Sequence, residues 1–123
     1  MKKIMVIDDN MDFANMFTEY MSDADCRVYK CVEFKDEEEI ILKIKEILPD
    51  IIVLDVNLTK TSGISIINRL KKEPSLSKIS IIIATASAYN SVVEGLVKNE
   101  KNVLGFYSKL EIDVIRNKII NER

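Results

Sequence analysis

Short β-branched and aliphatic runs alternate along this chain with stretches whose apolar positions recur every three to four residues. Lys2 to Ile7 reads as a buried strand. From Asp12 the period becomes helical, with Phe13, Met16, Phe17, Tyr20 and Met21 on one predicted face. Cys26 to Val32 alternates and carries Arg27 and Lys30, the pattern of an edge strand. Asp36 and Glu39 resemble a capping box, and Ile40, Ile41, Ile44, Ile47 and Leu48 then line a helix that ends before Pro49. Asp50 to Asp55 is a nearly continuous apolar run, as in a strand covered on both faces. A polar loop from Asn57 to Gly63 leads into a helix from Ile64 to about Lys72, stopped near Pro74. Ile79 to Ala84 is a fourth strand, Ser91 to about Asn99 a capped helix, Val103 to Tyr107 a fifth strand, and Leu110 to Ile120 a last helix facing inward through Ile112, Ile115 and Ile119.

Strands alternating with helices predict an α/β fold, a doubly wound parallel sheet of five strands flanked by five helices. Right-handed crossovers and the edge character of the second strand select the order 2-1-3-4-5. At 123 residues, one domain over residues 1–123 is expected, with no output domain.

Composition narrows the chemistry. A net charge of −2 provides no field to draw in nucleic acid or an anionic membrane. No apolar run reaches membrane-spanning length, and the apolar N-terminal stretch stops at Asp8, too soon for a signal peptide, so a cytoplasmic location is expected. Histidine is absent, which removes the commonest general base and every Ser-His or Cys-His nucleophile. Cys26 and Cys31 lie five apart in one strand and point to opposite faces, so they do not pair.

Ligands of such a sheet bind at the carboxyl ends of its strands, near the switch point of strand order. The first strand ends in Asp8 and Asp9, the third in Asp55, the fourth in Thr85, and the fifth near Lys109. Strands one and three are neighbours in this order, so three carboxylates converge with a hydroxyl and an ammonium beside them. Carboxylates that close raise one another's pKa unless a cation offsets them, and Mg2+ favours such oxygen ligands. One carboxylate oxygen is then available to attack phosphorus, while Lys109, Thr85 and loop N–H groups face the phosphoryl oxygens. Taken singly, Asp8-Asp9 reads as a helix cap, Thr85 as a strand residue, Lys109 as a solvated charge and Phe106 as core. Their joint placement at one sheet edge makes the signal specific.

The segments Ile4–Asn10, Asp50–Leu58 followed by Gly63, Ile81–Ala86 and Phe106–Lys109 resemble the response-regulator receiver family, and the resemblance covers the whole chain. It implies that Asp55 is the phosphoacceptor, supplied by a histidine kinase or a histidine phosphotransfer protein. It implies that Asp9 is a direct Mg2+ ligand, that Asp8 acts largely through bound water, and that the Asn57 backbone carbonyl completes the protein ligands. Thr85 and Lys109 would contact the phosphoryl group. Phe106 matches the aromatic switch whose rotamer follows the threonine, remodelling a face of helix 4, strand 5 and helix 5 that serves an effector or a homodimer. Asn57 and Ser87 match positions that control water access to the acyl phosphate, and with these residues the phosphoprotein is expected to decay unaided. Two positions depart from the family. Leu110 follows Lys109 where the family has a cis proline, and since a non-proline cis bond costs roughly 3 kcal/mol, a trans bond is expected. Thr59 stands where proline is usual, which predicts a looser loop after Asp55.

Other functions remain to be weighed. Asp55-Val56-Asn57-Leu58-Thr59 is similar to the nucleophile motif of haloacid-dehalogenase-like phosphatases, but that family needs a second aspartate where Asn57 stands. A flavodoxin-like nucleotide binder would need a phosphate-cradling loop after the first strand, and Asp8-Asp9-Asn10 would repel phosphate without a metal. A degenerate receiver acting only as an interaction module is the third alternative.

Overall fold

The computed structural model describes residues 1–86 and 91–122. Five strands, β1 (Lys2–Ile7), β2 (Cys26–Cys31), β3 (Ile51–Leu54), β4 (Ser80–Thr85) and β5 (Val103–Ser108), alternate with α1 (Met11–Tyr20), α2 (Glu37–Ile47), α3 (Gly63–Lys71), α4 (Ser91–Asn99) and α5 (Ile112–Asn121). The strands pair in parallel in the order β2-β1-β3-β4-β5, as the pattern of the chain predicts.

Side chains of each central strand alternate between two cores. Met5, Ile7, Ile52, Leu54, Ile81 and Ile83 pack with the apolar faces of α2 and α3 and with Val93 of α4. Ile4, Val6, Ile51, Val53, Ile82 and Ala84 pack with α1 and α5. The consecutive residues Ile4–Ile7 in β1, Ile51–Leu54 in β3 and Ile81–Ala84 in β4 are therefore all apolar, because both faces of the sheet are covered there. Edge strand β2 is half-exposed, and its two cysteines face opposite cores, Cys31 on one side and Cys26 on the other. Burial pushes the Cys31 thiol up to about 11, so it behaves as an apolar side chain at neutral pH.

Local caps follow the sequence. Asp36 accepts from the Glu39 N–H at the start of α2, Asn10 from the Phe13 N–H at α1, and Ser62 from the Ser65 N–H at α3. Ser91 is already helical rather than the cap of α4, and the position before it lies outside the described residues.

Three expectations are corrected. The buried stripe of α1 is Phe13, Ala14 and Phe17, followed by Met21; Met16 and Tyr20 are exposed. The stripe is rotated toward Ala14, which leaves Met16 and Tyr20 on the outer flank at 100° per residue. Leu48 leaves its helix, adopting left-handed backbone (φ 49°) and 53% exposure. Its N–H closes the last turn on the Ile44 carbonyl, and Pro49 behind it disfavours a continued helix. Leu110 is not helical either; it is 93% exposed in a turn whose N–H donates to the Ser108 hydroxyl, and α5 starts at Ile112. The Lys109–Leu110 bond is trans.

Candidate functional site

The register of the sheet places the chemistry. Ile7 lies opposite Leu54, so Asp8 and Asp55 extend neighbouring strands side by side. The Asp55 N–H donates to the Ile7 carbonyl (3.1 Å), and the Asp8 N–H donates to the Cys31 carbonyl (3.2 Å). On the other flank, Thr85 lies opposite Ser108, and the Lys109 N–H donates to the Thr85 carbonyl (3.0 Å). Four crossovers thus deliver Asp8, Asp55, Thr85 and Lys109 to one end of the sheet.

Oxygen atoms of Asp8, Asp9 and Asp55 all lie within 4.8 Å of one another. Asp8 is 1% exposed, Thr85 3% and Asp55 5%. The Lys109 ammonium sits among these groups, 2.7 Å from Asp8 Oδ2 and 2.9 Å from Asp55 Oδ2. Backbone donors take further lone pairs: the Asn10 N–H donates to Asp8 Oδ1 (2.9 Å), the Asn57 N–H to Asp55 Oδ1 (3.0 Å), and the Thr59 N–H to Asp9 Oδ2 (2.8 Å). The Asn57 side-chain amide donates to the Thr85 hydroxyl (3.3 Å).

Burial pushes the Asp8 carboxyl above its ordinary value of 3.8, and the Asp55 charge adds to the rise against the opposing pull of Lys109 and the Asn10 N–H. Burial would lower Lys109, but the Asp8 and Asp55 carboxylates outweigh it and hold the ammonium above its ordinary value. Three carboxylates against one ammonium leave excess negative charge in a small space. The donor set is all oxygen, which suits a hard divalent cation such as Mg2+.

The loop after Asp55, expected to be loose, is tied at several points. Besides the Thr59 contact, the Thr61 hydroxyl donates to Glu37 of α2 (2.8 Å), and the Gly63 N–H donates to the Val56 carbonyl (3.0 Å). Gly63 packs directly on the backbone just past β3: a Cβ there would lie 2.5 Å from the Asp55 carbonyl oxygen and 2.8 Å from Val56 Cα. Phe106 stands apart from the carboxylates, opposite Ile83 and half-buried against the α2–α4 core. Ser87 lies outside the described residues. Sequence patterns missed the Thr59 N–H on Asp9, which no side chain advertises. They also left Phe13 as core only, although its ring lies under the Lys109 ammonium.

Residues 4–115 match the family model of the response regulator receiver domain. The chain belongs to that family. Among curated relatives, the phosphate regulon transcriptional regulatory protein PhoB of Pseudomonas aeruginosa is 31% identical over 96 residues, covering 77% of this chain and 41% of that protein. The chemotaxis protein CheY of Listeria monocytogenes is 24% identical over 104 residues, covering 85% of each. The receiver spans well under half the length of the first curated relatives it matches, 41%, 35% and 29%. The fold superimposes on the Mn2+-bound form of response regulator Rcp1 with a TM-score of 0.81 at 17% identity, over 100% of this chain and 97% of that one. It also matches chemotaxis protein CheY4 of Vibrio cholerae, TM-score 0.77 at 19% identity, over 98% of each. This receiver is a two-component signalling domain, and none of its described helices is long and apolar enough to cross a membrane.

Proposed function

We propose that this receiver is a cytoplasmic phosphoacceptor switch in which Asp55 takes a phosphoryl group from a phosphohistidine donor. The donor is a histidine kinase or a histidine phosphotransfer protein, and residues 1–123 act as one receiver unit. A carboxylate oxygen of Asp55 forms the new P–O bond while the P–N bond of the donor breaks. The imidazole nitrogen keeps the electron pair and takes a proton from solvent. Asp8, Asp9 and Asp55, with the Asn57 backbone carbonyl, would hold Mg2+, which when bound offsets phosphoryl charge. The Lys109 ammonium and the Thr85 hydroxyl face the arriving oxygens. Asn57 and Ser87 govern water access to the acyl phosphate.

Thr85 links this chemistry to a surface. Asn57 already bonds its hydroxyl, and Phe106 lies on the neighbouring strand opposite Ile83, two positions before the partner of Thr85. A shift of Thr85 toward the phosphoryl group opens room for Phe106 to turn inward, altering the face of α4, β5 and α5 toward an effector or a second copy. Direct contact with nucleic acid or a membrane is no part of this function.

The observation that carries the proposal is the clustering of Asp8, Asp9 and Asp55 within 4.8 Å with Lys109 bonded to two of them. Intact mass after treatment with acetyl phosphate and Mg2+ tests it. The wild type should gain one phosphoryl group and Asp55→Asn none; no gain in the wild type, or an equal gain in the variant, refutes it.

A further inference from the structure

The Lys109 ammonium has a third neighbour besides Asp8 and Asp55. Its Nζ lies 5.2 Å from the centroid of the Phe13 ring, over the ring face. Phe13 is buried in the first turn of α1, just past the Asp8-Asp9 pair, and its ring stacks on Phe17 at 6.3 Å between centroids and 26° between planes. The ring is therefore buried, packed against Phe17, and still within reach of the ammonium. Resting on the phosphoacceptor role of Asp55, we propose that Phe13 is a positioning residue for phosphoryl transfer, its ring face keeping the Lys109 ammonium beside Asp55.

The physical need is clear from the chain itself. Lysine carries its charge on a flexible four-carbon stem, and fixing the head costs rotamer entropy. The Lys109 backbone is anchored by its N–H bond to Thr85 and by the turn through Ser108 and Glu111, where the Ser108 N–H donates to Glu111 Oε1 (2.9 Å) and the Glu111 N–H to the Ser108 carbonyl (2.9 Å). The head is held by Asp8 and Asp55, the same carboxylates a divalent cation would engage. Once such a cation draws on them, their hold on the ammonium weakens. The Phe13 ring offers no metal ligand, so its attraction persists. An aromatic face within about 6 Å of a desolvated ammonium is a favourable electrostatic partner.

A double-mutant cycle tests this. The initial rate of phosphoryl uptake from acetyl phosphate at saturating Mg2+ is compared for wild type, Phe13→Leu, Phe13→Tyr and a chain with pentafluorophenylalanine at position 13. Leucine and the fluorinated ring, whose quadrupole is reversed at nearly the same shape, should each slow uptake by roughly three- to thirtyfold. Tyrosine should stay near wild type. In a Lys109→Met background, Phe13→Leu should produce no further fall in the residual rate. In metal-free protein, the ring-current shift of the Lys109 ε-methylene protons should vanish in Phe13→Leu and survive in Phe13→Tyr. If Phe13→Leu does not fold, the fluorinated chain decides. An equal fall in the Lys109→Met background, or a wild-type rate with the fluorinated ring, overturns the inference alone. A wild type that takes up no phosphoryl group overturns the phosphoacceptor role, and the inference with it.

Discussion

At the amino end of the sheet, Asp50 accepts from the Lys3 N–H at 2.7 Å and the Lys3 ammonium reaches the Ile47 carbonyl at 3.2 Å, all of it exposed. At the carboxyl end, Asp8 and Asp55 share the Lys109 ammonium with almost no exposure. Both ends use aspartate and lysine, but the amino end draws them from β1 and from just before β3, whereas the carboxyl end brings its lysine in from past β5. Water screens the first arrangement, so each charge there is nearly independent of the other. Burial couples the second, so a change in any one of its charges is felt by the rest. Such coupling makes a receptive site for a charged group, because the protein has already arranged what that group needs.

The sharpest break in this contrast is Lys109→Met. It leaves two buried carboxylates facing each other, and stability in metal-free buffer should fall by about 3 kcal/mol, read from urea midpoints. Adding Mg2+ should return part of the loss in proportion to its concentration. A fall no larger than that of a surface substitution would mean the carboxyl end is as well solvated as the amino end. Next comes Gly63→Ala, which drives a methyl group against the Asp55 carbonyl and the Val56 backbone. A loss of about 2 kcal/mol and slower phosphoryl uptake are expected from calorimetry and the acetyl phosphate assay.

Titration separates the two ends further. The folded Asp8 carboxyl is raised, first by burial, so the native state keeps a proton that the unfolded chain releases above 3.8. Metal-free stability should therefore fall as pH rises from 3.8 through that higher folded value. Asp8→Asn should flatten this fall, and an unchanged pH profile would contradict the burial account. The smallest effect belongs to the amino end. Asp50→Asn retains an acceptor oxygen for the Lys3 N–H and should shift stability by no more than about 0.5 kcal/mol, with phosphoryl uptake unaltered.

Much of this was legible along the chain. Asp55 announces itself as an acid closing an apolar strand, and the unbroken apolar stretches Ile4–Ile7, Ile51–Leu54 and Ile81–Ala84 reveal a sheet covered on both faces. Met16, Tyr20 and Leu48 were misplaced because an apolar residue at the border of a helical stripe satisfies the periodicity whether or not a partner covers it. Leu110 fits the α5 periodicity for the same reason, although its N–H donates to the Ser108 hydroxyl and holds it in a turn.

Strand order, the two-sided core and the gathering of acids, hydroxyl and lysine at one edge are written in the linear chain, because side-chain periodicity and crossover handedness depend on local sequence. The bridging seat of Lys109, the Phe13 ring beneath it and the Thr59 N–H on Asp9 arise only when distant segments pack. Those contacts join residues 50 or more positions apart, across gaps that no local pattern encodes.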